Sequence, residues 1–200
     1  MSLQEIMRLH TDENEDRKMA VMLAVHCAPV LRGMKAANSI TVNINDSSSM
    51  SRLLAGTGIS YRVLRTTGNK EILYLYREKA ITDYLTSEEV WNFLREYGYQ
   101  NCNLQKLLDR LSYRLHLFSE GRIPFPHEIG VFLEYPLDDV KGFLINNGKD
   151  SYCSGYWKVY HNMPEALRKF RQYDVERDLV IREIIEGKTI REIVLEAGVR

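Results

Sequence analysis

Apolar positions along this chain change their period several times, and each change marks an element. Met19, Met22, Leu23 and His26 fall on one face at helical spacing. Asp12 and Glu15, three residues apart, form a capping-box start for that helix, and Leu3, Ile6 and Met7 predict a shorter one before it. Pro29 disfavours helical backbone at Ala28, so the helix is expected to end around His26-Cys27, with a further apolar turn at Val30-Leu31 before Gly33. The period then drops to two. Ile40–Ile44 alternates and is β-branched, which predicts a strand. Ser48 or Ser49 is placed to cap a short helix through Leu54, stopped by Gly56 and Gly58.

A hairpin is predicted next. Ile59, Tyr61 and Val63 share one face of its first strand, and Glu71–Arg77 alternates Ile72, Tyr74 and Tyr76 with Leu73 and Leu75. Thr67–Lys70 supplies the turn. A second strand apolar on both faces belongs at the centre of a sheet with helices against it. Beyond it the helical period dominates. A short helix is expected over Ala80–Leu85, and Thr86 with Glu89 makes a capping box for Val90, Trp91, Leu94 and Tyr97. Asn103 caps the clearest amphipathic helix, with Leu104, Leu107, Leu108, Leu111, Leu115 and Phe118 in one stripe. Two short helices follow, one from Pro126 through Ile129, Phe132 and Leu133, the other opening at Pro136 and carrying Val140, Phe143 and Leu144. Tyr152–Tyr160 is expected as one aromatic strand, and Asn162 with Glu165 starts a last helix bearing Leu167 and Phe170.

The sum is an α+β fold, a small antiparallel or mixed sheet of about four strands packed with segregated helices. The composition shifts after Tyr173. Residues 174–200 are expected as an amphipathic helical tail in two pieces, split at Gly187-Lys188 and restarted by Thr189 with Glu192, appended to a domain over residues 1–173.

Composition removes several function classes. With 27 basic and 27 acidic side chains the formal charge is zero, which argues against a dedicated nucleic-acid or anionic-membrane binder. Asp138-Asp139 would open the second helix of a helix-turn-helix reading of 128–144 and would repel phosphate. The acidic N-terminus has no apolar signal core, and the longest apolar run, Met19–Val25, is too short to span a bilayer. Cys27, Cys102 and Cys153 show no paired spacing, so reduced thiols in a cytoplasm are expected.

Four strings carry a resemblance: HCAPVLRGMK at 26–35, LYLYR at 73–77, FPHEIGVFLEYPLDDVKGF at 125–143 and GYWKVY at 155–160. In that order they resemble the bacterial domain-of-unknown-function family 3793, found largely in anaerobic Firmicutes. The resemblance covers residues 20–173. It implies no established activity; flavodoxin-like genes as neighbours imply a redox context and a flavodoxin-like partner. The chain departs from the family pattern at Ala36, where a proline is expected, and at Glu134, where a glycine often precedes the Tyr-Pro.

Candidate chemistry gathers in two places. His26-Cys27 offers a thiol nucleophile or ligand, yet neighbouring helical residues diverge by about 100° and a helix C-terminus opposes a thiolate. The competing reading is a buried cysteine beside a capping histidine. His127-Glu128 opens a helix, where the dipole favours a neutral imidazole suited to proton transfer or ligation, and where Glu128 also fits as a first-turn acid. In the expected strand, Cys153 and Trp157 share a face and Tyr156 opposes them; aromatic strands are normally core, but Trp157, Tyr156, Tyr160, Tyr74 and Tyr76 could also floor a pocket for a flat cofactor such as a flavin. No phosphate cradle accompanies them, so the cofactor stays unspecified. His26, Cys27, His127 and Cys153 have ligand chemistry for zinc or iron but no short metal-site spacing, and no metal is assigned. Cys102 precedes the Asn103 cap and is taken as incidental. Tyr113, Arg114, Arg122 and Lys158 are candidate polar contacts for an anionic ligand, with solvated surface as the default. Two hypotheses follow: a thiol/histidine ligand-binding or catalytic domain with Cys27, His127 and Glu128 at its centre and His26, Cys153, Tyr156 and Trp157 around it, or a non-catalytic protein-interaction module.

Overall fold

The structure, a computed structural model, describes residues 14–100 and 103–198. The expected helix around Leu3, Ile6 and Met7, the Asp12 cap and Cys102 lie outside the described residues. The fold is α+β, and its described part forms two compact units, one from the residues up to Arg77 together with those from Tyr173 on, the other spanning Glu78–Gln172.

In the first unit, helix α1 (Glu15–Leu31) is capped by Asn14, whose side chain accepts from the Asp16 and Arg17 amides at 3.0 and 3.2 Å. The helix does not stop at Cys27. It runs through Pro29 to Leu31, because nearly all of its second half is core: Leu23, Ala24, Cys27, Ala28, Val30 and Leu31 are fully buried. Packing on that scale outweighs the roughly 3 kcal/mol that an interior proline costs. The end is then closed from outside, with Arg77 donating to the Val30 and Leu31 carbonyls at 3.0 and 3.1 Å.

Strand β1 (Ala37–Asn43), a turn of 3-10 helix (Ile44–Asp46), helix α2 (Ser47–Leu54) and the hairpin β2 (Ser60–Thr67) and β3 (Lys70–Tyr76) follow. The sheet order is β1-β3-β2, antiparallel throughout, so the doubly apolar strand is central as its pattern requires. Ile40 pairs with Leu73 and both join the α1 core. The face expected of Val63 is not kept. A bulge between Val63 and Arg65 inserts Leu64, which turns into the interior while Val63 is left exposed.

Residues 174–200, expected as an appended tail, contribute Val180, Ile181, Ile184, Ile190, Ile193 and Val194 to the same core. Helix α8 (Met163–Ile185) is continuous through Tyr173, and α9 (Ile190–Ala197) restarts on the Thr189–Glu192 capping box. Arg32, almost wholly buried, ion-pairs with Glu176 (3.1 Å) and with Glu183, which ties this segment to the end of α1.

The second unit holds α3 (Glu78–Leu85), α4 (Glu88–Glu96), α5 (Leu104–Ser119), α6 (Ile129–Phe132), α7 (Leu137–Ile145), the two-residue strands β4 (Cys153–Ser154) and β5 (Lys158–Val159), and the start of α8. Asn103 caps α5 as expected, whereas the Thr86–Glu89 box does not form: Ser87 is the N-cap of α4 and makes no side-chain cap bond. Tyr152–Tyr160 is not a single strand. Cys153 pairs with Val159 and the chain reverses between them, the Gly155 amide donating to the Trp157 carbonyl at 3.0 Å. A Cβ at Gly155 would overlap the Phe170 ring, so the turn needs glycine there.

Candidate functional site

A concavity with a mainly aromatic lining lies in the second unit, and α6 and α7 build it. The α6 ending is a Schellman turn: the Glu134 amide donates to the Val131 carbonyl at 2.9 Å and the Tyr135 amide to the Gly130 carbonyl at 2.9 Å. Glu134 takes the left-handed conformation that this ending demands, at φ 54°. Pro136 then caps α7. The two helices approach closely because Gly130 has no side chain; a Cβ there would stand 2.9 Å from Val140 Cγ2 and 3.2 Å from Tyr135 Cδ2.

Asp139, in the first turn of α7 and only 3% exposed, fastens the β4–β5 hairpin to this pair. Its Oδ2 accepts from Trp157 Nε1 at 2.7 Å, and its Oδ1 accepts from the Tyr160 and His161 amides at 2.7 and 2.8 Å. A buried carboxylate satisfied by three N–H donors is an organising group, and it fixes the plane of the Trp157 ring.

Between these parts lies a cavity of about 200 Å³. Gly130, Val140 and Trp157, all buried, form its floor, while Phe125 and Lys158 are exposed at its rim. Phe143, Tyr135 and His127 complete the wall. The His127 ring sits between Phe125 and Phe143, with centroids 5.1 and 4.8 Å away. Burial pushes its pKa below the ordinary histidine value, against a weaker opposing pull from Glu128, which favours the neutral imidazole. Among the described residues neither ring nitrogen takes a hydrogen bond, which leaves one donor and one acceptor on a residue that lines the cavity.

The remaining candidates fall elsewhere. Glu128 is fully buried and does not line the cavity; its carboxylate is held by Arg114 through Nε and Nη2 and accepts from the Tyr99 hydroxyl at 3.2 Å. Burial, helped by Glu128, pushes the Tyr99 phenol far above its usual range. Cys27 belongs to the first unit, where it is fully buried in the core, and desolvation pushes its thiol up to about 12 despite Lys35 and Asn38 nearby. A thiol so held carries almost no thiolate at neutral pH. His26 is exposed on α1, and its carbonyl accepts from Asn38 Nδ2 at 2.5 Å. Cys153 is half-buried on β4. Tyr156 stacks obliquely on Phe170 at 5.6 Å outside the cavity, and Trp157 meets the same ring edge-on at 4.5 Å. Tyr74 and Tyr76 stack on each other in the first unit at 5.4 Å. Among the described residues no group of three or more His, Cys, Asp or Glu side chains is gathered as a metal ion requires. The pattern of residues pointed to His127 and Trp157 but not to Asp139, whose partners are 18 to 22 residues away and follow no local period.

The family model described as "Protein of unknown function (DUF3793)" matches residues 23–194. The chain belongs to that family. The DUF3793 match continues past Tyr173, where the sequence resemblance was expected to end, and takes in both helical pieces of the C-terminal segment. No curated protein and no solved structure matches the chain. Among the described residues no helix is long and apolar enough to cross a membrane.

Proposed function

We propose that the Glu78–Gln172 unit binds a small flat molecule in the cavity beside His127, which supplies the polar contact. The observation that carries this reading is an imidazole without a hydrogen-bond partner among the described residues, set between Phe125 and Phe143, where burial favours its neutral form. Size narrows the ligand. At about 200 Å³ the cavity is below the ~300 Å³ at which drug-sized clefts begin, so it suits one or two fused rings. A whole dinucleotide is too large for it, and Phe125, Phe143 and Trp157 favour a ring face or edge over an aliphatic chain. His127 can accept a proton or a hydrogen bond from such a molecule. Cys27 and Glu128 have no part in this reading, one being sealed in core and the other committed to Arg114 and Tyr99. Three cysteines without paired spacing favour a reducing cytoplasm as the setting.

The reading is tested by titrating 1-naphthol and quinoline while following the Trp157 indole N–H resonance in a Trp91→Phe protein. Saturable shifts of that resonance are expected; an unmoved resonance at millimolar probe contradicts the reading.

A second reading, a docking module for a protein partner, is favoured by Ile145 and Tyr152, which are 79% and 69% exposed on the same unit. It predicts that Ile145→Asp abolishes capture of that partner without moving the Trp157 resonance.

A further inference from the structure

The exposure of the cavity wall is graded, and the grading orients whatever enters. The floor residues Gly130, Val140 and Trp157 are buried and carry no free polar atom, because the single Trp157 N–H is already given to Asp139. A ligand therefore places its apolar end inward. The rim is different. Lys158 and Asp139 are the charged residues lining the cavity, and they are not equivalent. The Asp139 carboxylate is buried at 3% exposure and already accepts three N–H bonds, from Trp157, Tyr160 and His161. Lys158 is exposed and spends one N–H on the Gly148 carbonyl at 2.6 Å; an ammonium has three, so two remain.

We infer that the ligand of this cavity is an aromatic carboxylic acid, its ring inserted between Phe143 and Trp157 and its carboxylate at Lys158 on the rim. This rests on the binding reading above and adds a charge class to it. A neutral arene would use the floor and leave the rim cation idle. An arylammonium would gain from the aromatic wall but would meet the Lys158 ammonium at the exposed rim, while the Asp139 charge lies buried behind its three N–H donors.

The test compares three probes of one shape by calorimetry at low salt: 1-naphthylacetate, 1-naphthylacetamide and 1-naphthylethylamine. The acid is expected to bind about three- to five-fold tighter than the amide, the range of a partly exposed ion pair, and the amine most weakly. In Lys158→Met, which keeps the apolar stem, the acid's advantage is expected to vanish while amide affinity stays the same. Equal affinities in the unaltered protein, an amine that binds tightest, or an acid preference that survives Lys158→Met each overturn the inference and leave the binding reading standing. Failure of all three probes to bind overturns both.

Discussion

Trp157 Nε1 and Asp139 Oδ2 lie 2.7 Å apart, and this bond fastens a hairpin to a helix 18 residues earlier. The other oxygen of Asp139 receives two backbone amides where the hairpin runs out towards α8. One carboxylate thus sets both the cavity floor and the path of the chain that follows it.

Asp139→Asn keeps the volume and removes the charge, and its amide cannot accept on both arms. At least one buried N–H is then left without an acceptor, which costs about 1–3 kcal/mol for each donor stranded. Denaturant unfolding is expected to show a loss of about 2–4 kcal/mol for this variant. Trp157→Phe strands a carboxylate oxygen but no backbone amide, and should cost less. Equal stability of Asp139→Asn and the unaltered protein would show that the three bonds contribute nothing net.

His127 gives a pH dependence of definite sign. Its pKa is lowered in the folded state by burial, so between the folded and unfolded values the unfolded chain binds more protons. The stability that the neutral ring contributes is therefore fully present above the unfolded value of about 6.5 and is lost as pH falls through the lower folded value. Histidine ring titration by NMR should give His127 a pKa below the ordinary histidine value, and His127→Phe should remove its share of the acid-side slope.

Glu134 occupies the left-handed position of the α6 ending at φ 54°, where a glycine serves at the corresponding point of α8, Gly187 at φ 98°. The left-handed region costs a side-chain-bearing residue about 1–2 kcal/mol, and glycine's extra chain entropy returns about 0.5–1 kcal/mol of that. Glu134→Gly is accordingly expected to stabilise the protein by about 0.5–1 kcal/mol in thermal unfolding. A lower melting temperature would mean that the glutamate side chain contributes more than its backbone costs.

The two described thiols should separate cleanly in alkylation. Cys27 is sealed and its pKa is pushed up to about 12, whereas Cys153 is half-buried at a sheet edge. Iodoacetamide at pH 7.5 followed by peptide mass spectrometry should label Cys153 within minutes and Cys27 only after denaturant. Rapid labelling of native Cys27 would restore it as a candidate nucleophile.

How much of this was legible beforehand depended on the range of the forces involved. Elements set by local period were visible: the α5 stripe behind Asn103, the central β3 with its two apolar faces, and the Thr189–Glu192 box all formed where the pattern put them. Elements decided by distant packing were not. Pro29 is carried inside α1 by a core that includes Ile181 and Ile193, and the segment after Tyr173 is charged enough to look solvated although one of its faces completes that core. The aromatic run at 152–160 alternates like one strand, but it turns because Gly155 lets the chain fold over Phe170. At the site, His127 was expected in the first turn of a helix from Pro126, whereas α6 begins at Ile129 with Glu128 as its N-cap, and burial is what lowers the His127 pKa. Its aromatic neighbours and the Asp139 bonds arise only once α6, α7 and the hairpin meet.

The central claim is that a flat molecule enters the cavity beside His127. Intermolecular nuclear Overhauser effects from bound 1-naphthol measure this most directly. The account predicts contacts from the naphthol ring to the side-chain protons of Phe143, Trp157 and His127, and none to exposed Tyr152. Contacts confined to Tyr152 and Ile145, with Phe143 and Trp157 silent, would contradict it.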